Sequence, residues 1–302
     1  MSPASLASTD AHGRLEELTR AALARADVER RWSLEDLPWH RVTKRPSAGL
    51  VLAVETFFAI ESGLPDYVSV GLTLLRAAPA AARYVPSWAA EKVRHHQALG
   101  DWLVASGARD RAALASLEAR VLEAPWRPPF SVDGARTPLG GARRMLFFAL
   151  LQELATFLTY ARHREAAMRE GDECLRSIFD FLARDENAHA KFFERATHAL
   201  LGENREAALE DLAEVLATFE SPGAGSLPDY DERLAHVRET GVDRDMFIQR
   251  IYLPVMKRLG VSRQELAAAR VRAREARALS TQLSGARRAG RDGAQPAVWS
   301  AS

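Results

Sequence analysis

The sequence has almost no cysteine. Its 302 residues contain one, Cys174, so an intramolecular disulfide is excluded and nothing asks for an oxidising compartment. It also lacks a long apolar run: no stretch reaches the ~18 uninterrupted apolar residues of a membrane span. Glu55 and Glu61 interrupt the best candidate, Leu50 to Leu64, and Gln152 and Glu153 interrupt the next. Met1 to His12 have no apolar centre of the kind a signal peptide needs, and a cytoplasmic location is expected. Neither sign of charge is in excess, with 41 Lys and Arg against 40 Asp and Glu. The one basic run, Arg270, Arg272, Arg274 and Arg277, has no interleaved aromatics and reads as a solvated helix face, so nucleic-acid binding is not expected. Internal repeats, a phosphate-binding glycine loop and a nucleophile elbow are absent as well.

What is present is apolar content, 47% of the chain, enough to bury a large core. Its spacing is helical throughout. The expected organisation is a disordered N-terminus over 1–14, a single helical domain over 15–283, and a disordered tail over 284–302. Helices are expected over 15–30, 50–76, 87–104, 109–123, 142–169, 174–201, 205–219, 246–259 and 262–279, with a proline-bearing loop over 32–47 in which Trp32 tucks inward.

Four of these helices carry polar residues on their apolar stripes. In the stretch Cys174 to Leu201, an unbroken alternation of four-residue and three-residue steps passes through Leu175, Phe179, Leu182, Glu186, His189, Phe193, Ala196 and Leu200. Glu186 and His189 therefore face the core, where an uncompensated charge is costly. Glu61 lies on the stripe of 50–76, four residues before Pro65, whose missing N–H and ring should kink the helix beside it. Glu153 lies on the stripe of 142–169. The stripe of 87–104 carries Lys92 and His95, with Glu91 about 100° away at the edge of the buried face. Lys92 either finds carboxylates inside or snorkels to a bundle end. If the chain folds back near Gly171, Glu153 and Glu186 come nearly level, and the fold class is an all-α four-helix bundle with flanking helices. One lone glutamate from each of two helices and a Glu-x-x-His pair from each of the other two is the ligand set of a carboxylate-bridged metal bundle. Here one pair is intact, and Lys92 stands where the second glutamate belongs.

At these residues the sequence resembles the soluble acyl-acyl-carrier-protein desaturases of the plant stearoyl type and their actinobacterial relatives, which are ferritin-like diiron proteins. Glu61-Ser62-Gly63-Leu64-Pro65-Asp66-Tyr67 is similar to that family's Glu-Glu-Ala-Leu-Pro-x-Tyr. Trp88-Ala89-Ala90-Glu91-Lys92-Val93-Arg94-His95 is similar to Trp-x-x-Glu-Glu-Asn-Arg-His, Gln152 to Thr156 to Gln-Glu-Arg-Ala-Thr, and Asp185 to His189 to Asp-Glu-Lys-Arg-His. The likeness runs from about Trp32 to Gly260.

The resemblance implies that Glu61 and His95 cap one iron, that Glu153 and His189 cap the other, and that Glu186 bridges them. It places Thr156 near the oxygen-binding face, and Trp32, Asp185 and His95 on the route of electrons from a ferredoxin-type donor. It implies an acyl chain on an acidic acyl carrier protein as substrate, an apolar tunnel to receive it, and a homodimer. Lys92 departs from the pattern at the second bridging glutamate. Two outcomes follow: loss of one metal, with Lys92 in part of its electrostatic place, or replacement of the ligand by Glu91. The expected function is an oxidoreductase that desaturates or hydroxylates a carrier-bound acyl chain at an altered iron site. The alternative is a paralogue that only binds the carrier or its chain.

Overall fold

In the computed structural model residues 3–132, 135–220, 223–239 and 242–275 are described, with side chains from residue 11 onward except at position 239. Those residues are helical apart from connecting loops, with no strand among them. α1 (Pro3–Glu29) leads through two 3₁₀ turns into α2 (Ala48–Ser62), α3 (Leu64–Leu74), a single turn α4 (Pro79–Ala82), and α5 (Val85–Ala105). α6 (Arg111–Leu122) is followed by the long antiparallel pair α7 (Gly140–Arg169) and α8 (Glu173–Leu201). α9 (Arg205–Thr218) and α10 (Tyr230–Glu239) come next, and α11 (Arg244–Met246) passes through a π-helical turn (Phe247–Tyr252) into α12 (Leu253–Arg258). A last helix covers 263–275.

Local chemistry accounts for the two features that aim the site. Ser47 caps α2 by accepting from the Leu50 N–H. Pro65, in the first turn of α3, has no N–H to offer Glu61, and the chain breaks at Gly63, leaving the two arms bent by 44°. The sequence expectation of one kinked helix over 50–76 thus becomes two helices meeting beside Glu61. Between α7 and α8, Gly171 takes a positive φ of 72°, which a side chain would resist. Asp172 then caps α8 through the Leu175 N–H at 2.7 Å and accepts from Trp102 Nε1 at 2.9 Å. This reversal sets Glu153 and Glu186 level, as the counting of residues from Gly171 anticipated.

The bundle of α2, α5, α7 and α8 encloses two apolar clusters. One gathers Leu146, Phe147, Leu150, Phe193, Ala196 and Leu200 with Tyr84, and the other gathers Phe57, Leu99, Trp102, Tyr160, Phe179 and Leu182. Along α7 and α8 the boundary between them falls at Glu153 and at Asp185 to His189. A polar layer therefore crosses the middle of an otherwise apolar bundle. No single helix among the described residues is long and apolar enough to span a membrane.

Two expectations need correction. The segment 1–14, expected to be disordered, is helical from Pro3. Its alanines favour helix, and Ala11 and Leu15, four residues apart on one face, are fully buried. The last expected helix, over 262–279, is helical from 263 to the last described residue, 275, and its remainder and the expected disordered tail over 284–302 lie outside the described residues. α10 was not anticipated, because it is a ten-residue helix rich in charge whose apolar face, Tyr230, Leu234 and Val237, is short and only half-buried.

Candidate metal centre

Six of the residues singled out from the sequence meet in the polar layer. Glu61 comes from the end of α2, Lys92 and His95 from α5, Glu153 from α7, and Glu186 and His189 from α8. All six are buried. Two groups of donors lie close enough to hold an ion: Glu61, His95 and Glu186, and Glu153, Glu186 and His189, each with ligand atoms within 4.8 Å of one another.

Lys92 does not snorkel. Its Nζ donates to Glu186 Oε1 at 2.7 Å and lies 3.5 Å from Glu61 Oε1 and 3.7 Å from Glu153 Oε1. Burial disfavours the ammonium, but three surrounding carboxylates outweigh it and hold Lys92 charged well above the usual lysine range. In return, although burial opposes their ionisation, Lys92 pulls both Glu61 and Glu186 below the usual carboxylate range. Glu153 moves the other way, raised by burial and by the charge of Glu186 beside it.

The two histidines are held from outside the layer. His95 Nε2 meets Asp185 Oδ2 at 3.2 Å, and the same oxygen accepts from Trp32 Nε1 at 2.8 Å. Trp32 stacks on Phe181 with ring centres 4.9 Å apart, so it is both a packing residue and the far end of a continuous Trp32, Asp185, His95 chain. Burial works against the His95 imidazolium, yet Asp185, Glu186 and Glu61 push it up to about 10. His189 Nε2 meets Glu91 Oε2 at 2.7 Å, and its Nδ1 meets Glu153 Oε2 at 2.9 Å.

Glu91 is itself fixed by Arg30, whose Nε and terminal nitrogen reach its two oxygens at 3.2 and 3.1 Å. Burial would raise Glu91, but His189 and Arg30 hold it down at about 2. Glu91 therefore braces the outer nitrogen of His189 and belongs to neither group of donors close enough to hold an ion. Arg30 carries no sequence signal, since it follows α1 in a chain rich in arginine, and its partner sits off the stripe of α5. Two further groups complete the layer, Tyr160 donating to Glu61 Oε1 at 3.2 Å and Trp88 Nε1 to Glu153 Oε1 at 3.0 Å.

An apolar cavity of about 130 Å³ opens on one side of this layer. Phe57, Ile60, Leu64, Met145, Phe148 and Ala149 line it, Glu61, Lys92, Glu153 and Thr156 form the wall at the polar layer, and Tyr230, Leu234 and Val237 of α10 close it. Thr156 spends its hydroxyl proton on the Gln152 carbonyl at 3.0 Å. Arg233 ties α10 down through Glu55 at 2.8 Å and Thr56 at 3.2 Å. Of the basic run near the C-terminus, Arg270 and Arg274 are exposed, Arg272 pairs with Glu210 at 2.9 Å, and Arg277 lies outside the described residues.

Comparison with known proteins agrees with this geometry. A family profile described as fatty acid desaturase matches residues 40–284. DesA1 of Mycobacterium tuberculosis, which carries an acyl-[acyl-carrier-protein] desaturase name, is 23% identical over 241 residues, 80% of this chain and 70% of DesA1. Acyl-[acyl-carrier-protein] desaturase 4, chloroplastic, of Oryza sativa subsp. japonica is 27% identical over 163 residues, 52% of this chain and 37% of the rice protein. Among solved structures, that of DesA2 from M. tuberculosis superimposes with a TM-score of 0.57 at 18% identity, covering 86% of this chain and 98% of DesA2. A variant of an R2-like ligand-binding oxidase with a Mn/Fe cofactor gives 0.51 at 16% identity, covering 82% and 94%. The fold is the ferritin-like helical bundle these structures share.

Proposed function

The chain belongs to the fatty acid desaturase family, and from that premise we propose that it is an oxidoreductase acting on an acyl chain delivered by an acyl carrier protein. The observation that carries this reading is the shared wall of the cavity. Apolar side chains suited to a hydrocarbon end directly on Glu61, Glu153 and Thr156, so a chain lying in the cavity would present its carbons to the polar layer. Iron, when bound, supplies the electron transfer and oxygen affinity that oxidation of such a chain requires. Glu153, Glu186 and His189 are the residues that would hold one ion, and Glu61 and His95, sharing Glu186, are those that a second would need. Trp32, Asp185 and His95 offer a hydrogen-bonded path for electrons from a ferredoxin-type donor. The exposed Arg270 and Arg274 suit an acidic carrier, and a cytoplasmic homodimer is the expected assembly.

An iron pair does not fit these residues as they stand. The Lys92 ammonium, 2.7 Å from Glu186 and within 3.7 Å of Glu61 and Glu153, takes the space and the charge balance of one ion. This favours a second reading, in which the chain binds the acylated carrier without oxidising it. Incubation with acyl carrier proteins bearing chains of several lengths, ferredoxin, its reductase and ferrous iron, followed by mass spectrometry of the released acids, separates the two. Unsaturated or hydroxylated product supports the oxidoreductase. Tight binding without product supports the second reading, and neither binding nor product overturns both.

A further inference from the structure

Lys92 divides the donor atoms of the polar layer into unequal halves. Its ammonium engages Oε1 of Glu186, and the Oε1 atoms of Glu61 and Glu153 also turn toward it. The second oxygens of Glu153 and Glu186 turn toward His189 instead: Glu153 Oε2 lies 2.9 Å from His189 Nδ1, and Glu186 Oε2 lies 3.9 Å from it. Glu186 Oε2 is buried with no hydrogen-bond partner, a costly condition for a carboxylate oxygen unless a cation takes it. On the other side, His95 Nδ1 is also buried with no hydrogen-bond partner, and the oxygens nearest it are Glu186 Oε1 at 3.2 Å and Glu61 Oε1 at 3.9 Å. Those two oxygens already face the ammonium, so an ion there would have to displace Lys92.

The outer shell points the same way. Glu91, fixed by Arg30, holds His189 Nε2 at 2.7 Å, which leaves Nδ1 as the nitrogen turned to the layer. Charge decides the number of ions. Three glutamates against the Lys92 ammonium leave at most minus two, and less where His95 carries a proton, so a pair of divalent cations would exceed it. A fourth glutamate at position 92 would restore the balance for a pair.

We propose that the chain holds a single divalent transition-metal ion on Glu153, Glu186 and His189, with the Lys92 ammonium standing in place of a second ion. The proposal deepens the centre described above and is independent of which acyl chain, if any, is oxidised. The site's mixed carboxylate and imidazole donors suit iron, manganese, cobalt or zinc. Lys92 is a tethered cation that cannot change oxidation state, so redox chemistry at this centre is confined to one metal.

The test is anaerobic titration of the metal-stripped protein with ferrous iron, and separately with cobalt, followed by gel filtration and elemental analysis, with the visible cobalt bands reporting nitrogen and oxygen ligation. One ion per chain is expected for the parent protein, none for His189→Gln, one for His95→Gln and two for Lys92→Glu. Two ions or none in the parent overturns the proposal, as does loss of the ion in His95→Gln with retention in His189→Gln. A single ion in Lys92→Glu overturns the assignment of Lys92 as the stand-in. Should that variant fail to fold, the parent and histidine measurements still decide. A failure of the acyl reaction with one ion bound would count against the proposed function and leave this inference intact.

Discussion

Replacing Lys92 by glutamate tests the electrostatics of the layer through stability alone. In the parent the ammonium lies within 3.7 Å of three buried carboxylates. Removing one partner of such a buried arrangement costs about 3–5 kcal/mol, and the new carboxylate adds a fourth like charge, which sets the loss toward the upper end. At about 2–4 °C per kcal/mol for a domain of this general size, the metal-free variant should melt roughly 10–20 °C below the parent. Metal reverses the order of sensitivities. At a free ion concentration a hundred times Kd, each ion bound only by the folded form returns about 2.7 kcal/mol, so two ions in the variant restore roughly twice what one restores in the parent. The measurement is scanning calorimetry at pH 7.5 with chelator and with ferrous iron under argon. Equal melting of the two metal-free proteins, together with equal shifts on adding iron, would refute the placement of Lys92 among the carboxylates.

Arg30→Met should destabilise the protein by about 3–5 kcal/mol, because Glu91 is left buried with only His189 for company; urea unfolding at pH 7 measures it, and a change below about 1 kcal/mol would show the pair to be dispensable. His163, buried and bonded to the Thr159 carbonyl at 2.8 Å, is lowered by burial to about 4. Its neutral form belongs to the fold, so its stabilisation is complete above about pH 6.5 and lost as pH falls toward 4, by roughly 3 kcal/mol. His163→Gln should flatten the decline in stability between pH 7 and 4.5, and parallel profiles would contradict this. Ala149→Trp, in the cavity lining, should abolish binding of a long acyl chain, measured by fluorescence of a labelled fatty acid, without lowering metal content. Affinity for an acylated carrier should fall at least tenfold between 50 and 250 mM salt if Arg270 and Arg274 receive it; salt-independent binding would exclude them.

The layer was legible because helix periodicity is strict. Steps of three and four put Glu61, Lys92, His95, Glu153, Glu186 and His189 inward, and a polar residue on an apolar stripe is visible without any structure. Pro65 disclosed the break beside Glu61, and the residues counted from Gly171 disclosed the common level of Glu153 and Glu186. What stayed hidden depends on tertiary direction. Glu91 sits off its stripe, and only the approach of α1 explains why it is buried. Arg30 is one of many arginines until Glu91 meets it. α10 is short and rich in charge, and its apolar face of Tyr230, Leu234 and Val237 is only half-buried, so its signature is weaker than that of the other helices. Which oxygen of each glutamate faces Lys92 is a matter of rotamer, beyond any reading of spacing.

The reversal at Gly171 has a bearing on the order in which the centre comes into being. Glu153, Glu186 and His189 belong to one helical hairpin whose members are close in the chain, whereas Glu61, Lys92, Glu91 and Arg30 arrive from three separate segments. Local pairings close a shorter loop at smaller entropic cost, so the half of the centre that lacks only a cation can form before the half that already contains one. During refolding, amides of α7 and α8 should gain exchange protection ahead of those of α2. The two halves also differ in exposure to inherited change: loss of a residue in the hairpin disturbs a self-contained unit, while an exchange at position 92 alters how many ions that unit must share with its neighbours.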